Sequence, residues 1–286
     1  MIKGQDAILI TGATGQQGGA TARALLAAGH KVVAMTRNPS SPKAEELAVL
    51  GAELVQADLD DEASLRSVLE GKWGVYAVQN TWEAGVEGEE EQGKRLARLA
   101  KEAGVQHFVY ASVGSADQAT GIPHFDNKYR IKETVRELGL PSYVILRPAF
   151  FMENWTSPFF KPGVDDGAVA IAVLPDTQIQ MVAVEDIGEY GKMAFEQHQE
   201  LNGQAIDFAG DEMTPLQLAT TLSEVTGREI KHFQVPIEQV REFSDDFAIM
   251  LEWFDAVGYS VDIQGNKERY GIPATGFEDW ASSVTW

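Results

Sequence analysis

The chain has 286 residues, with 43 Asp and Glu against 23 Lys and Arg, and its formal net charge of −20 argues against direct binding to nucleic acids or anionic membranes. The absence of cysteine excludes disulfides, thiol nucleophiles and thiolate metal sites, while a hydrophobic fraction of 44% suffices for one large α/β core and a smaller lobe. No leader peptide or long apolar segment is recognisable in the sequence, so we expect a cytoplasmic protein without a membrane span.

Short apolar strands alternate with helical segments along the first half of the chain. The predicted strands are Ala7–Ile10, Lys31–Met35, Glu53–Ala57, Val75–Val78, Phe108–Tyr110 and Tyr143–Leu146. Helices are predicted between them, among others at Ala20–Ala28, Glu62–Leu69 and Pro123–Leu138. Such alternation predicts a parallel, doubly wound α/β sheet.

A glycine-rich turn links the first strand to the first helix. Gly12 permits the tight turn, Gly15 lets the backbone approach a pyrophosphate, and Gly18 allows the helix to pack closely on the strand. The N-terminus of the helix then offers free N–H groups and a positive dipole end to an anion. This turn predicts a dinucleotide site formed by Gly12, Thr14, Gly15, Gln16, Gln17 and Gly18.

The second strand leads into Thr36-Arg37-Asn38, at the position where NAD-binding chains carry an acidic residue for the ribose hydroxyls. Arg37 offers a permanently charged, planar donor group that suits a 2′-phosphate, with Thr36 and Asn38 as supporting donors. We therefore expect NADP(H) to be favoured over NAD(H). The alternative is that Arg37 is a solvated loop residue.

Other residues near the carboxyl ends of strands are candidates for the same ligand. Asp58 would accept a hydrogen bond from the adenine amino group, with Leu59 packed on the ring, or Asp58 would instead cap the helix Glu62–Leu69. Lys128 lies on an apolar helical stripe, so its ammonium would donate to the nicotinamide ribose hydroxyls or extend past the core to solvent. We interpret the acidic run Glu87–Glu91 as a solvated helix start.

The pattern changes after Arg147-Pro148, where an aromatic stretch begins. We expect residues 1–150 to form the cofactor-binding domain and residues 151–286 a smaller lobe for a substrate or partner. A segment near 180–210 is expected to return to the main sheet through a strand at Ala205–Phe208, before a helix at Pro215–Thr226. No metal site is expected, because the spacing typical of ligands is absent from His30, His107, His198 and His232.

Taken together, these motifs resemble the NmrA-like branch of the short-chain dehydrogenase/reductase superfamily, over nearly the whole chain. The resemblance rests on the motifs at 11–18, 36–39, 123–128 and 146–154. It implies a Rossmann-type doubly wound parallel sheet with a smaller, interleaved C-terminal substrate lobe. It also implies that Val78, Gln79 and Asn80 line the cofactor ribose and nicotinamide, and that Ala149 and Phe150 flank the carboxamide.

The sequence departs from the superfamily at the catalytic tyrosine. Typical members combine a serine, a tyrosine and a lysine, with the tyrosine four residues before the lysine. The tyrosine donates a proton to the substrate. Here His124 occupies the tyrosine position, whereas Ser112 and Lys128 are retained. The proton donor would be Lys128, His124 or water, or there would be none; alternatively, His124 is a satisfied polar residue at a helix start.

Two functions follow from this departure. A reductase that transfers hydride from NADPH to a conjugated or quinone-like acceptor can work without the tyrosine, because conjugation spreads the developing negative charge. Its substrate pocket would contain Trp82, Phe151, Asn154 and Trp155, or these side chains would be ordinary core. The second function is that of a redox sensor, which binds the dinucleotide without turnover and acts through a regulatory protein. We favour the reductase, and leave open whether it is a monomer or a homodimer.

Overall fold

The computed structural model describes residues 6–286, which divide into two compact units. The first unit contains the described residues up to 117 together with 124–147 and 187–206. The second contains 118–123, 148–186 and 207–286. The chain therefore passes between the units several times.

Strands and helices alternate along most of the chain. The strands are β1 (Ala7–Ile10), β2 (Lys31–Thr36), β3 (Glu53–Gln56), β4 (Gly74–Ala77), β5 (His107–Ala111), β6 (Tyr143–Pro148), β7 (Phe150–Phe151), β8 (Ala168–Ile171), β9 (Ile179–Val182), β10 (Ala205–Phe208), β11 (Asp211–Met213) and β12 (Lys231–Gln234). The α-helices are α1 (Gln16–Ala27), α2 (Pro42–Val49), α3 (Glu62–Leu69), α4 (Thr81–Glu102), α5 (Pro123–Glu137), α6 (Lys161–Asp165), α7 (Val184–Glu196), α8 (Pro215–Thr226), α9 (Ile237–Phe243), α10 (Asp245–Ala256), α11 (Ile263–Tyr270) and α12 (Phe277–Ser283).

Seven strands form the main sheet in the order β10-β6-β5-β4-β1-β2-β3. Every pairing among β1 to β6 is parallel, with Leu9 of β1 opposite Val33 of β2 and Val75 of β4. The strand order reverses between β1 and β4, and open α/β sheets place ligands at the carboxyl ends of the strands beside such a reversal. The doubly wound α/β fold expected from the sequence is confirmed.

Apolar side chains from both faces of this sheet are buried under helices. On one face, Leu9, Val75 and Phe108 join a cluster with residues of α3, α4 and α5, including Leu65 and Leu96. On the other face, a Cβ added to Gly74 of β4 would lie 2.9 Å from the ring of Phe195 in α7. Strands covered on both faces read as continuous apolar runs, which is why they were recognisable in the sequence.

The first helix begins four residues earlier than the sequence indicated, at Gln16 rather than Ala20. The glycines at 18 and 19 are thus part of the helix, although glycine is a poor helix former. Tertiary packing outweighs this local preference, because both glycines are buried against the turn that precedes the helix.

The second unit contains two small sheets and several short helices. Its sheets have the orders β11-β9-β7 and β12-β8. Helix α8 starts with a capping box in which Thr214 and Gln217 exchange hydrogen bonds, and it packs on β8 and β12. Of the helices found in residues 6–286, none is both long enough and apolar enough to cross a membrane.

Candidate functional site

The glycine-rich turn between β1 and α1 folds tightly on itself. The Gly15 N–H donates to the Gly12 carbonyl at 2.9 Å. Gly12 has a φ of +57°, and a Cβ on it would lie 2.8 Å from Cγ1 of Val78. A Cβ on Gly18 would lie only 2.4 Å from the Gly12 carbonyl oxygen. Side chains are therefore excluded at both positions, and the backbone itself forms the surface of the turn.

The N-terminus of α1 has none of the groups that usually neutralise a helix start. Gly15 is the N-cap, no side chain caps the helix, and the first turn contains no acidic residue. Gly15 and Gln16 are exposed, while the buried Oε1 of Gln17 has no hydrogen-bond partner among the described residues. Free N–H groups and an unopposed helix dipole together favour an anion at this position.

The ends of β1 and β4 are held together beside this turn. The Thr11 hydroxyl donates to the Val78 carbonyl and accepts from the Val78 N–H, both at 2.9 Å. Gln79 and Ser112 each lie two residues beyond the last pair of the β4–β5 ladder, Ala77 and Tyr110, and so just past the ends of the two strands. The sheet thus places Gln79 and Ser112, which are far apart in the sequence, after the carboxyl ends of neighbouring strands.

Several polar atoms at these strand ends are buried without a partner. Gln79 is only 6% exposed, and within the described part of the chain neither atom of its amide makes a hydrogen bond. The Ser112 hydroxyl is in the same condition, and so, in helix α5, is the Oδ1 atom of Asn127. A buried polar group without a partner costs free energy, so Gln79 and Ser112, just past the ends of neighbouring strands, are candidates for contact with a bound molecule.

Arg37 is exposed at the end of β2, with 67% of its side chain accessible, and its guanidinium forms an ion pair with Glu83 at 2.7 Å. The turn around it is held locally: the Asn38 N–H donates to the Thr36 hydroxyl at 3.2 Å, and the Ser40 N–H donates to Oδ1 of Asn38 at 3.1 Å. Arg37 is therefore at the expected strand end, but its partner in this structure is a carboxylate that the sequence analysis did not connect with it.

Asp58 lies at the end of β3 but does not cap α3. Its Oδ1 accepts from the Asp60 N–H at 3.0 Å, whereas the cap of α3 is Asp61, which accepts from the Ala63 N–H at 3.0 Å. The capping alternative is wrong because α3 begins one residue after Asp61. Leu59 is half-buried against the core of the first unit. The adenine contact stays a prediction for both Asp58 and Leu59.

Lys128 of α5 forms an ion pair with Glu89 of α4. The Glu89 side chain is completely buried, and that of Lys128 is 13% exposed. The other carboxylate oxygen of Glu89 accepts from the Thr81 hydroxyl and, at 2.9 Å, from the Asn127 amide. The same amide donates to the Val86 carbonyl at 2.8 Å. Glu89 thus contacts the Lys128 ammonium directly, while Thr81 and Asn127 hold Glu89 in place.

The interpretation of Glu87–Glu91 as a solvated helix start is wrong for Glu89. The run lies inside α4, and Glu89 shares a buried helix face with Gln92, Gly93 and Leu96. That spacing of three, four and seven residues is a signal in the sequence that could have placed Glu89 inside.

The charge state of Glu89 follows from its neighbours. Burial acts to raise the pKa of this carboxyl, but the positive charge of Lys128 and the hydrogen bonds from Lys128, Thr81 and Asn127 outweigh it. They hold the pKa below its ordinary value, so Glu89 is ionised at neutral pH. A buried carboxylate that is ionised in this way keeps a lysine ammonium in one place.

His124 lies on α5 one helical turn before Lys128. It is only 7% exposed, and its ring lies 5.5 Å from the Trp82 ring and 4.8 Å from the Phe125 ring. Trp82 is 63% exposed and belongs to the turn that Asn80 caps, with Oδ1 of Asn80 accepting the Trp82 N–H at 3.1 Å. The Asn80 side chain therefore caps the N-terminus of α4.

The aromatic residues after β6 belong to the second unit. Ala149 and Phe150 are buried there, and Trp155 is completely buried with its indole N–H directed at the Met181 sulfur, 3.4 Å away. The half-buried positions in this stretch include Phe151 and Asn154. Trp155 packs as a core residue, whereas Phe151 and Asn154 retain some accessible surface.

Glu153 in the same stretch has a buried environment that its sequence context does not indicate. One of its carboxylate oxygens accepts from the Val184 N–H at 3.0 Å and from the Trp280 indole at 3.1 Å. The second oxygen is buried without a partner in the described part of the chain. Burial raises the pKa of Glu153 despite these two hydrogen bonds.

His107 is a buried residue of β5. Its ring bonds to the Ser142 hydroxyl at 2.9 Å and to the Ala194 carbonyl at 3.0 Å, and it lies 5.6 Å from the ring of His198. Burial, and secondarily the charge of His198, lower the pKa of His107 to about 3. Across residues 6–286, no group of three or more His, Asp or Glu side chains is arranged to hold a metal ion.

A profile of the NmrA-like family matches residues 4–280. The chain belongs to the NmrA-like family. The NmrA-like oxidoreductase hkm9 of Aspergillus hancockii is 31% identical to it over 94% of this chain and 82% of its own. Quinone oxidoreductase 2 of Escherichia coli strain K12 is 30% identical over 79% of this chain and 76% of its own.

Solved structures show the same fold. The NADPH-dependent quinone oxidoreductase QOR2 from Escherichia coli, solved with NADPH, superposes on this NmrA-like chain with a TM-score of 0.80 and 26% identity, over 96% of this chain and 98% of the other. NmrA, a negative transcriptional regulator solved with NAD, gives a TM-score of 0.81 at 22% identity, over 99% and 96% of the two chains. The second likeness concerns the fold alone.

Proposed function

We propose that this NmrA-like protein is an oxidoreductase that binds NADP(H) on the first unit and reduces a small conjugated or quinone-like molecule. The observation that carries the proposal is the set of buried polar atoms without partners at the ends of β4 and β5, next to a helix N-terminus that lacks a cap. The relative named as a quinone oxidoreductase, whose structure contains NADPH, supports the same assignment.

The residues of the first unit fit a dinucleotide group by group. The uncapped N-terminus of α1 and the side-chain-free turn at Gly12 and Gly18 suit a pyrophosphate. The amide of Gln79, the hydroxyl of Ser112 and Oδ1 of Asn127 supply donors and acceptors for the ribose and carboxamide.

Arg37 supports NADP(H) over NAD(H). Its guanidinium is exposed at the strand end where the adenine ribose is expected, and a planar cation matches a phosphate better than a pair of hydroxyls. We expect Asp58 and Leu59, at the end of the neighbouring strand, to contact the adenine.

When bound, NADPH supplies the hydride. Lys128, held by Glu89, donates to the ribose hydroxyls and keeps a positive charge near the reacting atoms. Lys128 or His124, one helical turn apart, supplies the proton that the acceptor takes up, in place of the missing tyrosine. The low exposure of both side chains limits competition from water.

We also propose that residues 1–150 carry the cofactor and that residues 151–286 form the substrate lobe, apart from a segment near 180–210 that returns to the main sheet. The side chains assigned to the carboxamide are Ala149 and Phe150, and those assigned to the substrate are Trp82, Phe151 and Asn154. Trp155 acts indirectly, because its buried ring packs on Phe150 and Phe160.

An assay of NADPH oxidation tests the proposal. The purified protein is mixed with NADPH and with quinones, triarylmethane dyes or conjugated enones, and the loss of the reduced-nicotinamide absorbance is followed. We expect turnover with at least one acceptor class and its loss in Lys128→Met. Because that variant leaves Glu89 without its counter-charge, the double variant Lys128→Met with Glu89→Gln serves as the folded control. His124→Phe separates the two proton donors, since it leaves Lys128 in place.

The cofactor preference is tested by Arg37→Asp. This change should weaken NADPH binding much more than NADH binding, since only NADPH carries the 2′-phosphate. An unchanged preference contradicts the NADP(H) assignment. Tight cofactor binding without reduction of any acceptor would contradict the reductase function. It would favour the alternative, in which the protein binds the dinucleotide without turnover and acts through a protein partner.

A further inference from the structure

We infer that Glu83 is an internal competitor of the 2′-phosphate for Arg37, and that it sets how strongly the protein prefers NADP(H). The inference rests on the proposed function and deepens it. Its basis is the ion pair in which Glu83 Oε2 lies 2.7 Å from the Arg37 guanidinium. A carboxylate thus occupies the group that the proposed function assigns to the phosphate.

The pair joins residues of two different connections. Arg37 follows β2, and Glu83 lies in the first turn of α4, which follows β4. The two strands flank β1 in the sheet, so both connections lie at the strand end beside the glycine-rich turn. Glu83 therefore approaches Arg37 through the tertiary structure and not through sequence proximity.

The backbone of Glu83 is fixed independently of Arg37. Asn80 caps the turn, and the hydroxyl of Thr81 donates to the buried Glu89. Beyond Glu83, the helix is interrupted at Gly85, which has a φ of +73°. Because the turn is anchored at its start, its backbone keeps the Glu83 carboxylate within reach of Arg37, and only the exposed side chain has to turn away to release the guanidinium.

The pair is exposed, with 67% of the Arg37 and 57% of the Glu83 side chain accessible. An exposed ion pair is weak, so a dianionic phosphate can displace the carboxylate. The displaced Glu83 remains close to the phosphate and repels it. Glu83 thus acts against the 2′-phosphate twice, and it leaves a dinucleotide with free ribose hydroxyls almost unaffected.

The effect on binding should be selective and opposite in sign to that of an Arg37 substitution. We expect Glu83→Gln to tighten NADPH binding by about three- to tenfold at low salt and to leave NADH binding within about twofold. The gain should shrink as ionic strength rises, because salt screens exposed charges. Calorimetric titration of the intact protein with NADPH and with NADH measures both affinities.

Two further variants isolate the pair. Glu91→Gln removes the same charge from the same helix at a side chain that is 75% exposed and pairs with Arg95, so it should change neither affinity. In an Arg37→Ala background, the benefit of Glu83→Gln should fall below about twofold, since the contested cation is gone and only the weak, screened repulsion of the phosphate remains.

The outcomes separate this inference from the proposed function. If Arg37→Ala weakens NADPH selectively but Glu83→Gln fails to tighten it, the role of Glu83 is overturned and the NADP(H) assignment stands. If Arg37→Ala does not weaken NADPH binding more than NADH binding, the NADP(H) assignment itself fails. Equal gains for Glu83→Gln and Glu91→Gln would indicate a general charge effect and would also overturn the inference.

Discussion

Lys128 and Glu89 form a buried ion pair between α5 and α4, 39 positions apart in the sequence. The pair decides what a lysine on the largely buried face of α5 does in this protein. A lysine that extends past the core would end in solvent, whereas this ammonium is bound to a carboxylate that Thr81 and Asn127 also hold. Glu89 is therefore the residue that positions Lys128.

Removal of one partner of this pair should be costly. Lys128→Met leaves the ionised Glu89 buried without its counter-charge, and we expect the free energy of unfolding to fall by about 3 kcal/mol at neutral pH. Urea denaturation measures the change. The double variant Lys128→Met with Glu89→Gln should recover most of it, because no charge then remains buried. A double variant as unstable as the single one would contradict the pairing.

The contribution of the Lys128–Glu89 pair to stability should change with pH in a defined direction. The folded-state pKa of Glu89 lies below its ordinary value of 4.5, so its contribution is complete above that value and is lost as the pH falls through the lower folded pKa. In Lys128→Met the burial of Glu89 is no longer offset. That variant should consequently gain stability relative to the wild type as the pH decreases towards about 4, as measured by urea denaturation over a pH series.

Gly18→Ala should damage both the fold and the cofactor site. Its Cβ would lie 2.4 Å from the Gly12 carbonyl oxygen and 2.6 Å from that of Thr11, so the backbone of the turn has to move. We expect a loss of about 1–3 kcal/mol in stability and at least about tenfold in dinucleotide affinity. Gly88→Ala in α4, which would meet only the Ala84 methyl at 3.3 Å, is the matched control and should bind normally.

The buried His107 makes the fold sensitive to mild acid. Its pKa of about 3 in the folded protein lies below the ordinary value of 6.5, so unfolding takes up a proton between these values. Stability should fall by about 1.4 kcal/mol per pH unit from this group as the pH decreases below 6.5. His107→Asn should show a shallower dependence between about pH 6 and 5, measured by urea denaturation. Parallel curves for the two proteins would exclude His107 as the source.

The buried Glu153 should affect the pH dependence of stability in the opposite direction from His107. Because burial raises its folded pKa above the ordinary value of 4.5, its ionisation opposes folding as the pH rises through that range. Glu153→Gln keeps an oxygen for the Val184 N–H and the Trp280 indole and removes the charge. The variant should be at least as stable as the wild type at about pH 7, with the difference fading in acid. A large loss of thermal stability at neutral pH would show that the carboxylate is required.

Local patterns were sufficient where one segment decides its own structure. The apolar runs of β1, β2 and β5 and the glycines of the β1–α1 turn are recognisable because buried parallel strands and tight turns restrict residue types position by position. Spacing on a single helix likewise placed Lys128 on the inner face of α5. The helix start at Gln16 was missed because packing, which the local sequence does not describe, overrides the weak helix preference of glycine.

By itself, the sequence determined the fold class, the succession of strands and helices along the chain and the family resemblance, since periodicity and glycine spacing are properties of short segments. Only the tertiary structure decided the partners of the charged groups. It set Glu83 against Arg37, enclosed Glu89 beside Lys128 and assigned the cap of α3 to Asp61 instead of Asp58. The reason is that an ion pair depends on the distance between two side chains, and residues far apart in the sequence acquire that distance only when strands and helices pack.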